Sequence, residues 1–440
     1  MPRLNGAEGV GDSFLATGLE GRLDALCQRR EALPVPASAS AGAWIGWRGT
    51  VRFVVAGTDP SRAAGAIGGA DASALAVAVA RARRESLPLV LLLDSGGALL
   101  TEGVAVLGGF RQLQRALLDA SADGLPVLAV LGRHCFGGAS LLAFSADARL
   151  YPEGCRLGLS GPRALQALTE VSSETLDAVY APASRARHDT GALRVDDHPV
   201  AVVAAVEAWL SGDRPPADRS LAALTQRLRL YRGDPETLDT MVPSPDLQAR
   251  LDLLFPQGWS AACGDGVVSG DARTGTGDLS FAGFVGGRPV SAFACWRMVD
   301  TLRRLDRDPG DQPVVLLLDS PGQAADLDAE QMLLSEFVTR VAEAAHQLGR
   351  HGRSVELWLV GQSGGAIYVA LAAAASRVTA WPGVRVQTLP PRAVSGVLGA
   401  APEPPPADLH ALLGAGVIDH WAGRAPAPIS PTRPPGVHTS

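Results

Sequence analysis

Most of the information about the fold lies in residues Val127–Tyr151, which read VLAVLGRHCFGGASLLAFSADARLY. The stretch opens with an apolar run of strand length, Val127–Leu131, and passes through a paired-glycine turn into a helical run of small residues, Ala139–Ala146. A second short strand, Ala148–Tyr151, closes it. A strand that leads through Gly-Gly into a helix leaves the first N–H groups of that helix without internal partners. Because they carry the positive end of the helix dipole, such a turn can stabilise negative charge that develops on a ligand oxygen.

The same order of elements occurs a second time. Residues Val355–Trp381 read VELWLVGQSGGAIYVALAAAASRVTAW, which is again strand, Gly-Gly, small-residue helix and strand. An apolar strand ending in Asp-Ser precedes each copy, at Leu89–Gly97 (LVLLLDSGG) and at Val314–Gln323 (VVLLLDSPGQ).

The distance between the copies is nearly constant along the chain. Asp94 and Asp319 lie 225 residues apart, and Gly138 and Gly365 lie 227 residues apart. Chance does not readily place four elements in one order at one offset, so we interpret the chain as an internal duplication. Strands that alternate with helices predict parallel sheets, with ligand sites at the carboxyl ends of the strands.

The composition excludes several classes of protein. The chain has 440 residues, 47% of them hydrophobic, and a net charge of −6, which argues against a nucleic-acid surface. No apolar run approaches the roughly 20 residues that a bilayer requires, and no targeting segment is evident near the N-terminus. We therefore expect a cytoplasmic protein of two domains.

Two residue types narrow the chemistry further. The five cysteines are scattered without CxxC spacing, which predicts reduced thiols and no metal site. All 39 residues counted as Lys or Arg are arginine. The absence of lysine excludes a P-loop, a lysine Schiff base and covalently attached biotin on this chain.

We predict five segments. Residues 1–42 are an N-terminal helix and connector, and residues 43–210 are the first domain. Residues 211–259 are a linker, residues 260–423 the second domain, and residues 424–440, rich in proline, a disordered tail.

Several motifs together resemble a known family. In the first copy they are Asp94-Ser95-Gly96-Gly97-Ala98 with Glu102, Cys135-Phe136-Gly137-Gly138-Ala139-Ser140, Arg156–Pro162, and His188 with Thr190-Gly191 and Val195-Asp196-Asp197. This set resembles the beta subunit of biotin-independent malonate decarboxylase. The second copy, with Leu318–Gln323, Gly361, Gly364-Gly365-Ala366, Ser376-Arg377-Val378 and Trp381-Pro382-Gly383, is similar to the gamma subunit.

The resemblance implies an α/β fold of two tandem crotonase-like domains (ββα-spiral, carboxyltransferase type) fused in one chain. It implies decarboxylation of a malonyl thioester to the acetyl thioester, without biotin. The implied partners are the acyl carrier protein (delta subunit), whose phosphoribosyl-dephospho-CoA arm carries the thioester, and the alpha subunit, which reloads that carrier. A homo-oligomer is also compatible with the resemblance.

The predicted site consists mainly of backbone groups. Loss of CO2 from a malonyl thioester leaves an enolate, and two N–H donors at its oxygen suffice to stabilise it. The predicted catalytic residues are Gly96, Gly97, Gly137, Gly138, Gly364 and Gly365, and the predicted substrate-binding residues are Gly68, Gly69, Glu102, Gly161, Gly322 and Gln323; no metal is expected. The alternative is that these glycines only permit tight turns and close packing.

Two neighbouring residues suggest a different chemistry. His134 and Cys135 adjoin the glycine turn, but adjacent side chains diverge and no third orienting group is evident, so we do not assign a Cys-His nucleophile.

The predicted backbone donors can be tested by substitution. We expect Gly138→Val to abolish turnover with the fold intact.

Two other functions stay open from the sequence. One is a carboxyltransferase that uses biotin carried on another polypeptide. The other is a non-catalytic scaffold, suggested by departures from the family motifs at Ser160, Arg163, Gly364 and Leu389-Pro390.

Overall fold

The structure is a computed structural model, and it describes residues 13–214, 217–235, 241–399 and 408–423. The predicted tail at 424–440 lies outside the described residues.

The first sheet contains eight strands from the first half of the chain. They are β1 (Arg29–Ala32), β2 (Gly42–Arg48), β3 (Val51–Gly57), β4 (Leu89–Ser95), β5 (Val127–Phe136), β6 (Ala148–Pro152), β7 (Leu157–Gly158) and β8 (Ala192–Val195). Their order is β1-β2-β3-β4-β5-β6-β8, and β7 pairs with β5. The pairs β1-β2 and β2-β3 are antiparallel, whereas the pairs from β3 onward are parallel.

The second sheet repeats this topology. Its strands are β9 (Trp259–Gly264), β10 (Val267–Thr274), β11 (Gly277–Phe284), β12 (Val314–Ser320), β13 (Val355–Gly364), β14 (Arg377–Ala380), β15 (Arg385–Gln387) and β16 (His420–Trp421). Their order is β9-β10-β11-β12-β13-β14-β16, and β15 pairs with β13. The structure therefore confirms the internal duplication.

Helices connect the strands in both repeats. In the first half they are α1 (Leu19–Leu26), α2 (Gly69–Glu85), α3 (Val106–Ala122), α4 (Gly138–Ser145), α5 (Pro162–Gln166), α6 (Ser173–Tyr180), α7 (Pro182–Ala186) and α8 (Pro199–Leu210). In the second half they are α9 (Leu221–Tyr231), α10 (Pro245–Leu254), α11 (Ala292–Arg307), α12 (Leu327–Gln331), α13 (Leu334–Arg350), α14 (Gly365–Ala374), α15 (Pro391–Leu398) and α16 (Leu409–Gly414).

The central strands of each sheet are buried because their sequences are largely apolar. Every residue of β4 and of β12 is buried, as expected for continuous apolar runs covered on both faces. Helix α3 buries Val106, Phe110, Leu113 and Leu117 on one face. It begins at Val106, directly after a 3₁₀ segment that contains Glu102.

The repeats extend further toward their N-termini than their glycine motifs indicate. Arg22 of α1 forms a buried ion pair with Asp94 at 2.7 Å, and Arg250 of α10, whose side chain is more exposed, pairs with the buried Asp319. Helix α10 is therefore the counterpart of α1, although the sequence prediction assigns it to the linker at 211–259. The domain boundaries themselves stay predictions.

The repeats pack face to face through reciprocal helix contacts. Arg111 of α3 donates to Ala372 O near the end of α14 at 3.2 Å, and Arg340 of α13 donates to Phe144 O near the end of α4 at 3.0 Å. Cationic side chains stabilise helix C-termini, where carbonyls lack partners. This exchange brings the glycine turns that precede α4 and α14 to one cavity between the repeats.

Candidate active site

The first glycine turn is fixed by hydrogen bonds on one side only. Gly97, at φ +116°, donates to Ser95 Oγ at 3.1 Å, and its carbonyl accepts from the Ile67 N–H at 2.8 Å. Leu99 donates back to Ile67 O at 2.9 Å. The N–H of the intervening Ala98 faces the opposite way and has no acceptor among the described residues.

The second element of the site is the start of α4. Gly137, at φ +59°, donates to Leu159 O at 3.1 Å, and Gly138 is the first residue of the helix. The Gly138 N–H has no acceptor within the part of the chain that the structure describes. A Cβ on Gly137 would lie 3.3 Å from Gly97 Cα and 3.9 Å from Ala98 N, so the two turns are in contact. We call the N–H groups of Ala98 and Gly138 the first hole.

The second repeat builds the same two turns with one difference. Gly322 is at φ +139° and Gly365 at φ +60°, and the N–H of Gln323 lacks an acceptor among the described residues. The N–H of Ala366, however, donates to Oε1 of the Gln323 side chain at 2.9 Å. We call the N–H groups of Gln323 and Ala366 the second hole, and a side chain of this repeat occupies it.

The register of the repeats corrects the alignment of the glycine pairs. Ser95 lies opposite Cys135 in the first sheet, and Ser320 lies opposite Ser363 in the second. Gly365 therefore corresponds to Gly137 and not to Gly138. Pairing Gly138 with Gly365 from the sequence is wrong by one residue.

A cavity of about 120 Å³ lies between the two repeats and contains the first hole. Its lining includes eight of the predicted site residues: Gly96, Gly97, Gly137, Gly138, Gly161, Gly322, Gln323 and Gly365. Of the described residues that line it, none is charged, and the polar side chains are those of Ser160, Gln323 and Thr388. The site combines backbone donors with an apolar, partly enclosed environment, where such donors are most effective.

The four remaining predicted residues do not line this cavity. Glu102 Oε2 accepts from the Gly69 N–H at 2.8 Å, and a Cβ on Gly68 would lie 2.3 Å from Glu102 Oε1. Glu102 thus stabilises the start of α2. A Cβ on Gly364 would lie 2.3 Å from Gln387 O, so close packing accounts for that glycine. The predicted catalytic role of Gly364 and the predicted substrate-binding roles of Gly68, Gly69 and Glu102 stay predictions.

Sequence reasoning missed three participants: Ala98, Ser160 as a polar group of the cavity, and Glu330. Glu330 is buried and accepts from the N–H groups of Leu159 at 3.2 Å and Ser160 at 2.6 Å. Burial raises its pKa, whereas Arg185, whose Nη2 lies 3.1 Å away, opposes that rise. No local sequence pattern indicates this contact, because it joins two repeats.

The residues beside the turn are not arranged as a nucleophile and its base. Cys135 is completely buried, and burial raises the pKa of its thiol well above the usual value. Burial also lowers the pKa of His134, whose backbone N–H donates to Asp94 Oδ1 at 3.1 Å.

The described ranges contain neither a candidate metal site nor a candidate membrane span. No cluster of three His, Cys, Asp or Glu side chains suited to a metal is found there. The described helices include none that is long and apolar enough to cross a membrane.

The fold and the site define a protein of two tandem crotonase-like domains around a hole of backbone N–H groups. Residues 25–248 match the carboxyl transferase domain, which is about half of the chain, and the chain belongs to that family. The predicted fold class is thereby confirmed.

The curated relatives are carboxyl transferase subunits of acetyl-coenzyme A carboxylase. The fused beta/alpha subunits from Salinispora tropica are 28% identical over 313 residues, covering 64% of this chain and 54% of that protein. Subunit beta 1 from Lactiplantibacillus plantarum is 36% identical over 87 residues, covering 20% of this chain and 33% of that protein. The chain spans about half the length of the fused relatives that it matches.

Solved structures show more distant likenesses. The malonate decarboxylase MdcD-MdcE hetero-dimer from Pseudomonas is 22% identical, with a TM-score of 0.43, over 51% of this chain and 97% of that chain. Transcarboxylase 12S, with methylmalonyl-coenzyme A and methylmalonic acid bound, is 15% identical, with a TM-score of 0.40, over 93% of this chain and 87% of that chain.

Proposed function

We propose that this chain adds or removes a carboxyl group at the α carbon of an acyl thioester by way of an enolate. The observation that supports this most directly is the first hole: among the described residues, the N–H groups of Ala98 and Gly138 have no acceptor, and the cavity beside them has no charged lining residue. Two such donors match the oxygen of a thioester enolate.

The form of this reaction that the geometry supports best is decarboxylation of a malonyl thioester. The bond between the α carbon and the carboxylate breaks, its electron pair moves to the thioester oxygen, and CO2 departs. A proton from solvent or from an unassigned donor then restores the acetyl thioester. During the reaction, negative charge leaves the carboxylate and arrives at the first hole. Because the described lining of the cavity has no cationic side chain, the site does not stabilise the starting carboxylate more than the transition state.

A second candidate is carboxyl transfer to or from biotin held on another protein. The curated relatives favour this reaction, because they are named as acetyl-coenzyme A carboxylase carboxyl transferase subunits. Carboxyl transfer places developing charge on the biotin urea oxygen as well as on the thioester oxygen. It would therefore use a second pair of free N–H donors, and in the second hole the Ala366 N–H is occupied.

The partners belong to the same proposal. For decarboxylation, the thioester would arrive on an acyl carrier protein with a phosphoribosyl-dephospho-CoA arm, and an alpha subunit would reload that carrier. For carboxyl transfer, the partner would be a biotinylated protein.

The deciding experiment measures CO2 released from carboxyl-labelled malonyl-CoA and malonyl carrier protein, with purified full-length chain and no biotin. Release without biotin supports the decarboxylase. Release or transfer only after addition of a biotinylated carrier supports the carboxyltransferase. No turnover under either condition, with a folded chain, contradicts both reactions and favours the scaffold.

A further inference from the structure

Two polar side chains of the cavity, those of Ser160 and Gln323, have hydrogen-bonding groups without a partner in the part of the chain that the structure describes. The first is Ser160, which is only 6% exposed and lines the cavity. Its Oγ is buried and has no hydrogen-bond partner among the described residues. A buried hydroxyl without a partner is costly, so its presence in a cavity indicates a polar atom of a ligand.

The backbone of Ser160 is held firmly, which limits what its hydroxyl can reach. The Ser160 N–H donates to Glu330 Oε1 at 2.6 Å, and the Ser160 carbonyl accepts from the Tyr180 hydroxyl at 2.7 Å. Tyr180 and Glu330 are both buried. The only hydrogen-bonding group of Ser160 that remains free is therefore its hydroxyl, held at the cavity wall.

The second side chain is Gln323, from the other repeat. Its Oε1 accepts from the Ala366 N–H at 2.9 Å, and this fixes which end of the amide is the oxygen. The Nε2 group at the other end carries two N–H donors and has no acceptor among the described residues. Gln323 thus closes the second hole and at the same time offers new donors at the cavity.

We infer that the Ser160 hydroxyl and the Gln323 amide nitrogen together bind the free carboxylate of a dicarboxylic acyl thioester, and so select malonyl-type substrates over simple acyl thioesters. This inference rests on the proposed function, because it assigns the carboxylate end of the same site. Both groups are neutral donors on opposite repeats, and a carboxylate has two oxygens that accept hydrogen bonds. Neutral donors orient the carboxylate without the strong charge stabilisation of an arginine, which would hinder its departure as CO2.

The test compares equilibrium binding of malonyl-CoA and acetyl-CoA to the full chain by calorimetry. Ser160→Ala removes the hydroxyl and leaves the backbone bonds. Gln323→Glu keeps an acceptor for Ala366 but replaces the amide donors with a charge that repels a carboxylate. Each substitution should weaken malonyl-CoA binding about tenfold or more, as expected for a lost hydrogen bond to a charged group, and leave acetyl-CoA binding within about twofold.

Matched controls carry the same chemical changes outside the cavity. Ser145→Ala removes a buried hydroxyl that bonds to Gln114 at 2.8 Å, and Gln362→Glu adds the same charge at an exposed position of the second repeat. Both controls should keep the wild-type ratio of malonyl-CoA to acetyl-CoA affinity.

The outcomes separate this inference from the function it rests on. An unchanged affinity ratio in Ser160→Ala and Gln323→Glu overturns the inference, even if the wild-type chain releases CO2. A wild-type chain that binds both thioesters equally overturns it as well. A wild-type chain that binds neither thioester and releases no CO2 overturns the proposed function, and the inference with it.

Discussion

The backbone N–H of Ser160 donates a 2.6 Å hydrogen bond to Glu330 Oε1, so a carboxylate of the second repeat holds a loop of the first. The other oxygen, Oε2, accepts from the Leu159 N–H at 3.2 Å and from Arg185 at 3.1 Å. This contact fixes one wall of the cavity and depends on both repeats being present.

We predict that Glu330→Gln destabilises the protein and impairs the site. The amide removes the charge that pairs with the buried Arg185 and supplies a single acceptor for two N–H groups. Breaking a buried ion pair from one side costs about 3 to 5 kcal/mol. Urea unfolding should show this loss, and the KM for malonyl-CoA should rise because the loop carrying Ser160 is released. The exposed pair Glu153–Arg194 provides the control, since Glu153→Gln should change stability by no more than about 0.5 kcal/mol. Equal stability of the two variants would contradict this account.

The sequence predicts the glycine turns that the structure places at the cavity. Positive-φ turns at Gly97 and Gly137 require glycine, and apolar strands lead into them, so the pattern is visible without a structure. The same pattern, repeated near a constant offset, predicts the duplication and the facing turns at Gly322 and Gly365.

The one-residue alignment error has a physical cause. Gly137 and Gly365 share a positive φ, whereas the other glycine of each pair, Gly138 or Gly364, serves local packing. Gly138 leaves room for the Phe110 ring, which a Cβ would meet at 2.1 Å, whereas Gly364 has extended backbone at φ −177° and leaves room for Gln387 O. Aligning Gly-Gly with Gly-Gly therefore pairs Gly138, which is required by packing, with Gly365, which is required by its positive φ.

The remaining parts of the site depend on contacts distant in sequence. Residues 160 and 330 are brought together only by packing of the repeats, and no periodicity predicts it. The sequence does place Gln323 at the site, yet it cannot indicate that the side chain turns back onto Ala366.

The Phe110 contact also changes how the first hole should be tested. The sequence alone predicts that Gly138→Val leaves the fold intact, but the valine side chain would overlap the Phe110 ring. Gly137→Ala is the better substitution. An alanine at this positive φ strains the turn, and its Cβ would lie only 3.3 Å from Gly97 Cα, where it crowds the contact between the two turns. We predict loss of CO2 release with a destabilisation of about 1 to 3 kcal/mol, measured by label release and urea unfolding. Gly124→Ala has a similar positive φ with open space around it, so it should show comparable strain with activity retained. Activity loss in both variants would mean that strain alone is responsible.

We predict that the thiol beside the turn takes no part in the reaction. Cys135 is completely buried and its pKa is raised by burial, so little thiolate forms near neutral pH. Cys135→Ala should retain CO2 release, and iodoacetamide should label the more exposed Cys263 before it labels Cys135. Rapid inactivation by iodoacetamide with label on Cys135 would contradict this expectation.

Acid sensitivity should arise in part from a buried pair in the first repeat. Arg149 contacts both oxygens of Asp189 at 2.6 and 2.7 Å, and the Tyr151 hydroxyl donates to Oδ2 at 2.7 Å. Burial alone raises the pKa of Asp189, but these partners outweigh burial and hold that pKa below its usual value. The stabilisation is therefore present above the unfolded pKa of about 3.9 and is lost as the pH falls through the folded pKa. Asp189→Asn should cost about 3 to 5 kcal/mol at pH 7 in urea unfolding. The difference from wild type should shrink near pH 3, and a constant difference would show that Asp189 does not titrate in this way.

Filling the cavity without straining the backbone tests whether it is the substrate site. A Cβ on Gly161 would meet only Phe136, at an ordinary 3.9 Å, and the backbone at φ −65° accepts any residue. We therefore predict that Gly161→Val folds normally while its side chain takes space that the substrate requires. The KM for malonyl-CoA should rise about tenfold, because displaced contacts worth 1.4 kcal/mol change an affinity by that factor. Gly349→Val, on an exposed part of α13 with nothing within 4 Å, adds the same side chain away from the cavity and should leave the KM unchanged. A wild-type KM in Gly161→Val would place the reaction outside this cavity, since the added methyl groups cannot share its volume with an acyl chain.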